Sequence, residues 1–189
     1  GVRMWPYRIS RGSTENIHPW VNDIEAKVIR GEAFLRHALQ LEKQGISPKV
    51  IVCHPGWGEG LFVKQVWPNA KLLIYSEWYY SHVNQDYGFD PEFEPNELSA
   101  YARLRLKNVN NDLNIELADG AISPTHWQQS TYPKSFQSKI TVVHDGIDTA
   151  LCAPNPNAAL KLEMGSGPTV QLSKNDQVLT FVNRNLEPS

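Results

Sequence analysis

Apolar positions along this chain follow two different periods, and the alternation between them is the first structural signal. Ile17, Val21, Ile24, Val28, Leu35 and Leu39 recur at steps of about 3.6 residues around Pro19, which suits a first helical position, until Gly45 and Pro48 stop the pattern. A long amphipathic helix is predicted there. KVIVC (49–53) is a continuous apolar run rich in β-branched residues and ends in a glycine turn, as a strand buried on both faces of a parallel sheet does. A short helical stretch (59–67) leads to a second such run, KLLIY (71–75), followed by the long aromatic and acidic loop SEWYYSHVNQDYGFDPEFEP. Leu98, Ala102, Leu106, Val109, Leu113 and Leu117 then mark one helix with Asn96 as its cap and a polar opposite face. GAIS (120–123) reads as a strand, PTHWQQSTYP as a helix started by Pro124 with Ser123 available to cap it, and ITVV (140–143) as another buried strand.

The flanks are less regular. VRMWPYRI (2–9) has the composition of a short strand, residues 150–170 are rich in Pro, Asn and Gly and suit a linker or irregular crossover, and QVLTFVN (177–183) reads as one last strand. The βαβα order implies an α/β fold: a Rossmann-like parallel sheet with helices on both faces.

Composition narrows the function classes. A chain of 189 residues with 41% hydrophobic content can build one real core. The net charge of -2 and the scattered Lys and Arg lack the basic stripe that nucleic acid requires. Cys53 and Cys152 lie far apart with no CxxC spacing, so neither a disulfide framework nor a thiolate metal site is expected, and a reducing cytoplasm is the natural setting. No apolar run approaches the ~20 residues that span a bilayer, and no secretory leader is recognisable. No His pair has HExxH spacing, and GxSxG and the Walker pattern are absent, which leaves no expectation of a metal and removes serine hydrolase and P-loop readings.

Ligands of open α/β sheets bind beyond the carboxyl ends of the strands, so the segments after the strands are the candidates. HPGWGEG (54–60) offers Gly56, Trp57, Gly58 and Glu59, with glycines for close backbone approach; a tight strand-to-helix turn would explain them equally well. SEWYYSH (76–82) puts Glu77, Trp78 and Tyr79 at a strand end, where a carboxylate can accept hydroxyl hydrogen bonds and aromatic faces can stack on sugar rings; the alternative is packing beneath the loop. SPTHWQQS (123–130) adds Thr125 and Trp127, and HDGID (144–148) reads as an αL turn at Asp145-Gly146 with Asp148 binding nearby backbone. The run KVIVCHPGWGEG followed by Glu77 also imitates a dinucleotide-binding unit, with GxGxG where GxGxxG is wanted.

Taken together, HPGWGEGLFVKQVWPNAKLLIYSEWYY, YGFDPEF, ADGAISPTHWQQSTYP, ITVVHDGID and VLTFVNRNLEP resemble bacterial family 4 glycosyltransferases, and the matches run in order over nearly the whole chain. The resemblance implies the N-terminal half of a GT-B fold, with 1–148 an acceptor-side Rossmann-like domain lacking its first strand, 149–176 a linker or crossover, and 177–189 the first strand of the donor-side domain. It implies a retaining hexosyltransferase that moves a sugar from a nucleotide-sugar donor to a carbohydrate or lipid-linked acceptor without a metal or other cofactor. Glu77 is then the catalytic candidate; Gly56, Trp57, Gly58, Glu59, Trp78, Tyr79, Thr125 and Trp127 line the acceptor; Arg184 meets the donor diphosphate. The family's first strand with its glycine loop, the lysine after Arg184 and the E-x7-E segment have no counterpart here, so this stretch alone is expected to be inert. Peripheral membrane contact and self-association through open sheet edges are compatible with this plan. The alternatives are an NAD-binding domain of an oxidoreductase and a non-catalytic carbohydrate-binding module.

Overall fold

The structure, a computed structural model, describes residues 1–82, 85, 92, 98–163 and 165–179. Its chain divides into two compact units, Gly1–Asp145 and Gly146–Ser189.

The first unit is built on four parallel strands in chain order: β1 (Val50–Cys53), β2 (Lys71–Tyr75), β3 (Gly120–Ser123) and β4 (Ile140–Val142). Register runs Ile51 to Leu72, Ile74 to Ala121 and Ala121 to Ile140, which puts these residues on one face. That face is the core: Leu72, Ile74, Ala121 and Ile140 meet Val63, Ala118, Tyr132 and Phe136. Helices α1 (Asn22–Lys43), α2 (Val63–Val66), α3 (Leu98–Lys107), α4 (Val109–Leu117), α5 (His126–Thr131) and α6 (Lys134–Gln137) pack around the sheet, so the α/β Rossmann-like expectation holds. β1 lies at one end of the sheet, where Val50 and Val52 are 52% and 59% exposed.

Several elements differ from the reading of the sequence. Residues 2–9 form no strand; Tyr7 instead packs edge-on against Phe34 of α1 at 5.6 Å, and a single aromatic anchor supplies no ladder. Pro19 sits in a turn and α1 begins at Asn22. Its buried residues are Ile29, Gly31, Ala38 and Leu41, while Val21, Val28 and Leu39 of the expected stripe are exposed. Gly31 is required there because α1 lies against a backbone turn: a Cβ on it would come within 2.8 Å of the Gly58 carbonyl. A smaller cluster of Ala38, Leu41, Trp67 and Ala70 packs beside Ile51 of β1, and the Trp67 indole donates to the Ile46 carbonyl at 3.0 Å.

The single helix expected over 98–117 is two, α3 and α4, separated at Asn108; its proposed cap, Asn96, lies outside the described residues. In α4 the expected polarity is inverted, with Asn110, Asn111 and Asn114 buried and Leu113 and Leu117 exposed. α5 starts two residues past Pro124, and Thr125 rather than Ser123 caps it, its hydroxyl accepting from the Gln128 N–H at 3.1 Å.

In the second unit, the stretch expected to be irregular holds an antiparallel hairpin, β5 (Ala159–Leu162) with β6 (Val170–Ser173). Asp148 receives the N–H groups of Ala150 and Leu151, each at 3.0 Å, as its turn composition suggests. Of the strand expected at 177–183, residues 177–179 are not in a strand and 180–183 lie outside the described residues.

Candidate functional site

At the carboxyl end of β1 the chain turns through His54–Gly58, and His54 becomes the hub of the site. Its Nδ1 accepts the Gly56 N–H at 3.1 Å, so the neutral ring carries its proton on Nε2 and donates it to Glu77 Oε2, 2.8 Å away just past β2. The ring also lies 5.3 Å from the Trp57 ring and 6.0 Å from that of Tyr75. Gly56 leaves room for this arrangement, since a Cβ there would stand 3.0 Å from the imidazole Cε1. Glu77 is more than half exposed and uses one carboxylate oxygen on His54, which leaves its second oxygen to accept from a hydroxyl donor.

Trp78 follows Glu77 and meets Trp127 of α5, ring centroids 5.0 Å apart and planes 57° apart. This pair forms an aromatic wall, with Trp127 53% exposed. At the far strand, the Tyr75 hydroxyl donates to Asp145 Oδ1 at 2.6 Å, and that bond, with some burial, pushes the phenol up to about 12. Glu77, Trp57, Trp78 and Trp127 therefore share the carboxyl-end rim with His54, Tyr75 and Asp145.

Other candidates are used differently. Glu59 accepts the Tyr7 hydroxyl, and Tyr7, raised to about 12 mainly by burial, packs on α1 beside Phe34 and His37. Gly58, at φ +111°, admits the Lys27 carbonyl of α1, which a Cβ would approach to 2.2 Å. Tyr79 turns inward, its ring 5.4 Å from that of Tyr132 and its hydroxyl donating to Asp112 Oδ1 at 2.8 Å; burial and that bond raise its pKa. Thr125 spends its hydroxyl on the α5 cap. Arg184 lies outside the described residues. Cys53 is a structural thiol, pushed up to about 11 by burial and then by Glu59, which removes the thiolate needed for nucleophilic work.

Sequence reasoning did not foresee His54 as the partner of Glu77, or Asp145 as the partner of Tyr75. The first pair joins the ends of the neighbouring strands β1 and β2, and the second reaches across β3 from the end of β2 to the segment after β4, so both depend on the order and register of the sheet and not on local spacing. Among the described residues, no group of three His, Cys, Asp or Glu side chains could hold a metal, and no helix is long and apolar enough to cross a membrane.

The rim combines an exposed carboxylate, an oriented imidazole and aromatic faces. Such a set can accept hydroxyl hydrogen bonds and stack on a sugar ring. No significant match to a curated protein is found. The family model described as "Glycosyl transferase family 4 group" matches residues 1–152, which cover the whole parallel sheet and its rim, and the chain belongs to that family.

Proposed function

We propose that the first unit is the acceptor-binding domain of a retaining glycosyltransferase that takes a sugar from a nucleotide-sugar donor and delivers it to a carbohydrate or lipid-linked acceptor. The family supports transfer of a glycosyl group. The observation that carries the acceptor assignment is the rim at the carboxyl ends of the strands, where Glu77, oriented by His54, stands beside the Trp78–Trp127 wall. In this reading Glu77 accepts an acceptor hydroxyl and raises its nucleophilicity, Trp57, Trp78 and Trp127 stack on the sugar ring, and Gly56 keeps His54 in place. Glu59, Gly58, Tyr79 and Thr125 support the surface from behind, and Arg184 serves the donor diphosphate. The dinucleotide alternative gains nothing from the turn after β1, which enters only a 3-10 turn (Glu59–Phe62) and the four-residue α2, too short to supply the helix N-terminus that a pyrophosphate uses.

Saturation-transfer NMR and tryptophan emission with the chain and a panel of glucose, galactose, mannose, maltose and sucrose test this. Binding of at least one saccharide is expected, with Glu77→Ala weakening it about tenfold or more, since a hydrogen bond to a charged group is worth about 1.5–3 kcal/mol. Binding of NAD in place of every saccharide, or saccharide affinity indifferent to Glu77→Ala, would overturn it.

A further inference from the structure

α4 buries the face that its sequence makes polar, and the reason lies in what that face holds. Asn108, Asn110, Asn111 and Asn114 are between 1% and 5% exposed. Four carboxamides in an interior are costly unless bonded, and their partners are concentrated on the two loops of the rim. Asn108 bonds both backbone groups of one residue: Oδ1 accepts the Tyr80 N–H at 3.0 Å and Nδ2 donates to the Tyr80 carbonyl at 2.8 Å. A carboxamide alone among small side chains presents a donor and an acceptor side by side, as a neighbouring strand would. Asn111 Nδ2 donates to the Trp78 carbonyl at 3.1 Å and to Asn108 Oδ1 at 3.2 Å. The Trp78 carbonyl also receives the Tyr132 hydroxyl at 3.1 Å, and the Ser76 carbonyl receives Ser123 Oγ at 2.8 Å. The carbonyls of residues 76, 78 and 80 are thus all taken from inside. On the other loop, Asn110 Nδ2 donates to the Pro55 carbonyl, next to His54, and Asn114 Nδ2 fixes Asn110 by its own carbonyl at 2.7 Å.

We propose that these asparagines are the positioning residues of the rim: Asn108 and Asn111 hold the backbone that carries Glu77 and Trp78, and Asn110 holds the turn that carries His54 and Trp57. α4 and the Asn108 that caps it thereby reference both loops to each other, so the Glu77–His54 bond and the Trp78–Trp127 wall are set by this segment and not by the loops themselves. Side chains on loops gain working precision only from such supporting bonds. That the rim binds an acceptor rests on the preceding proposal; the clamp does not.

The Trp78–Trp127 pair supplies a readout. Two indoles at 5.0 Å and a 57° tilt couple excitonically and give a far-ultraviolet circular-dichroism couplet, which Trp127→Phe should abolish. Asn108→Ala and Asn111→Ala are expected to lose most of the couplet while melting cooperatively. Leu104→Ala, a core truncation in α3, should lower the melting temperature and keep the couplet. Asparagine variants that melt cooperatively with the couplet intact would overturn the proposal. Should those variants fail to fold, the unmodified chain decides: the Tyr80 N–H, which lies outside every helix and strand, must exchange slowly with solvent, and exchange at the rate of a free loop amide sinks the clamp. Titration with the saccharide panel separates the two ideas. Loss of the couplet in the variants with no saccharide bound by the parent chain leaves the clamp standing and removes the acceptor reading.

Discussion

Gly58 shows how a single atom can decide a packing arrangement. Its φ of +111° is costly for any L side chain, and the Lys27 carbonyl of α1 stands where a Cβ would go, 2.2 Å away. Gly45, which ends α1, has φ +84° and nothing within 4 Å. The two glycines separate conformational cost from close approach. Gly45→Ala should cost about 1 kcal/mol, the usual strain of a left-handed L residue, whereas Gly58→Ala should cost upward of about 3 kcal/mol because α1 must also move. Urea unfolding of the two variants checks this, and equal costs would mean that α1 yields freely at the contact.

Elements joined by local pattern were legible and those joined by long-range bonds were not. KLLIY and GAIS could be read as strands because short, mainly apolar runs bounded by turns have few other uses. The break at Asn108 could not, because Leu98, Leu106 and Leu117 keep helical spacing across it, and the residue there bonds the Tyr80 backbone, 28 residues away. The same holds for the inverted face of α4. Of the candidate site, Glu77, Trp78 and Trp127 were visible as chemistry beyond strand ends, while His54 required the β1–β2 register that places it beside Glu77.

A second long-range element contact gives the sheet a pH dependence. Asp119, just before β3, extends the β2–β3 ladder with its side chain: Oδ2 accepts the Leu72 N–H at 2.9 Å, its own N–H donates to the Leu72 carbonyl at 2.9 Å, and Oδ1 takes Lys71 Nζ at 2.7 Å. The Lys71 bond, then the Leu72 N–H, lowers its carboxyl to about 2. A carboxyl depressed in the folded state stabilises above its unfolded value and loses that contribution as pH falls, here from about pH 4 toward about 2. Glu25, held down by Thr14 and then Arg11, and Asp176, held down by Ser173, act in the same direction. Asp119→Asn should therefore flatten part, not all, of the acid limb of a stability–pH profile. An unchanged limb would show that Asp119 titrates normally.

At the scale of the whole chain, the two units differ in what protects them. The first has a sheet whose Leu72 and Ile74 are fully buried, so those amides open only with the unit itself. Leu72→Ala should cost it about 3 kcal/mol, the usual loss for a leucine cut from a packed core. In the second, β5 and β6 pair through Leu160 with Leu172 and Leu162 with Val170, yet Leu160 remains 51% exposed, Leu162 40% and Val170 38%. A two-stranded hairpin without a covered apolar face is marginal in water, because two strands cannot bury enough side chain to offset the entropy of ordering them. Amide hydrogen exchange of the chain should show β2 and β3 slowest and β5 and β6 faster by orders of magnitude, and Leu72→Ala should speed the sheet amides while leaving the hairpin unchanged. Hairpin amides that exchange as slowly as those of β2, and that respond to Leu72→Ala, would mean that both units unfold as one cooperative body.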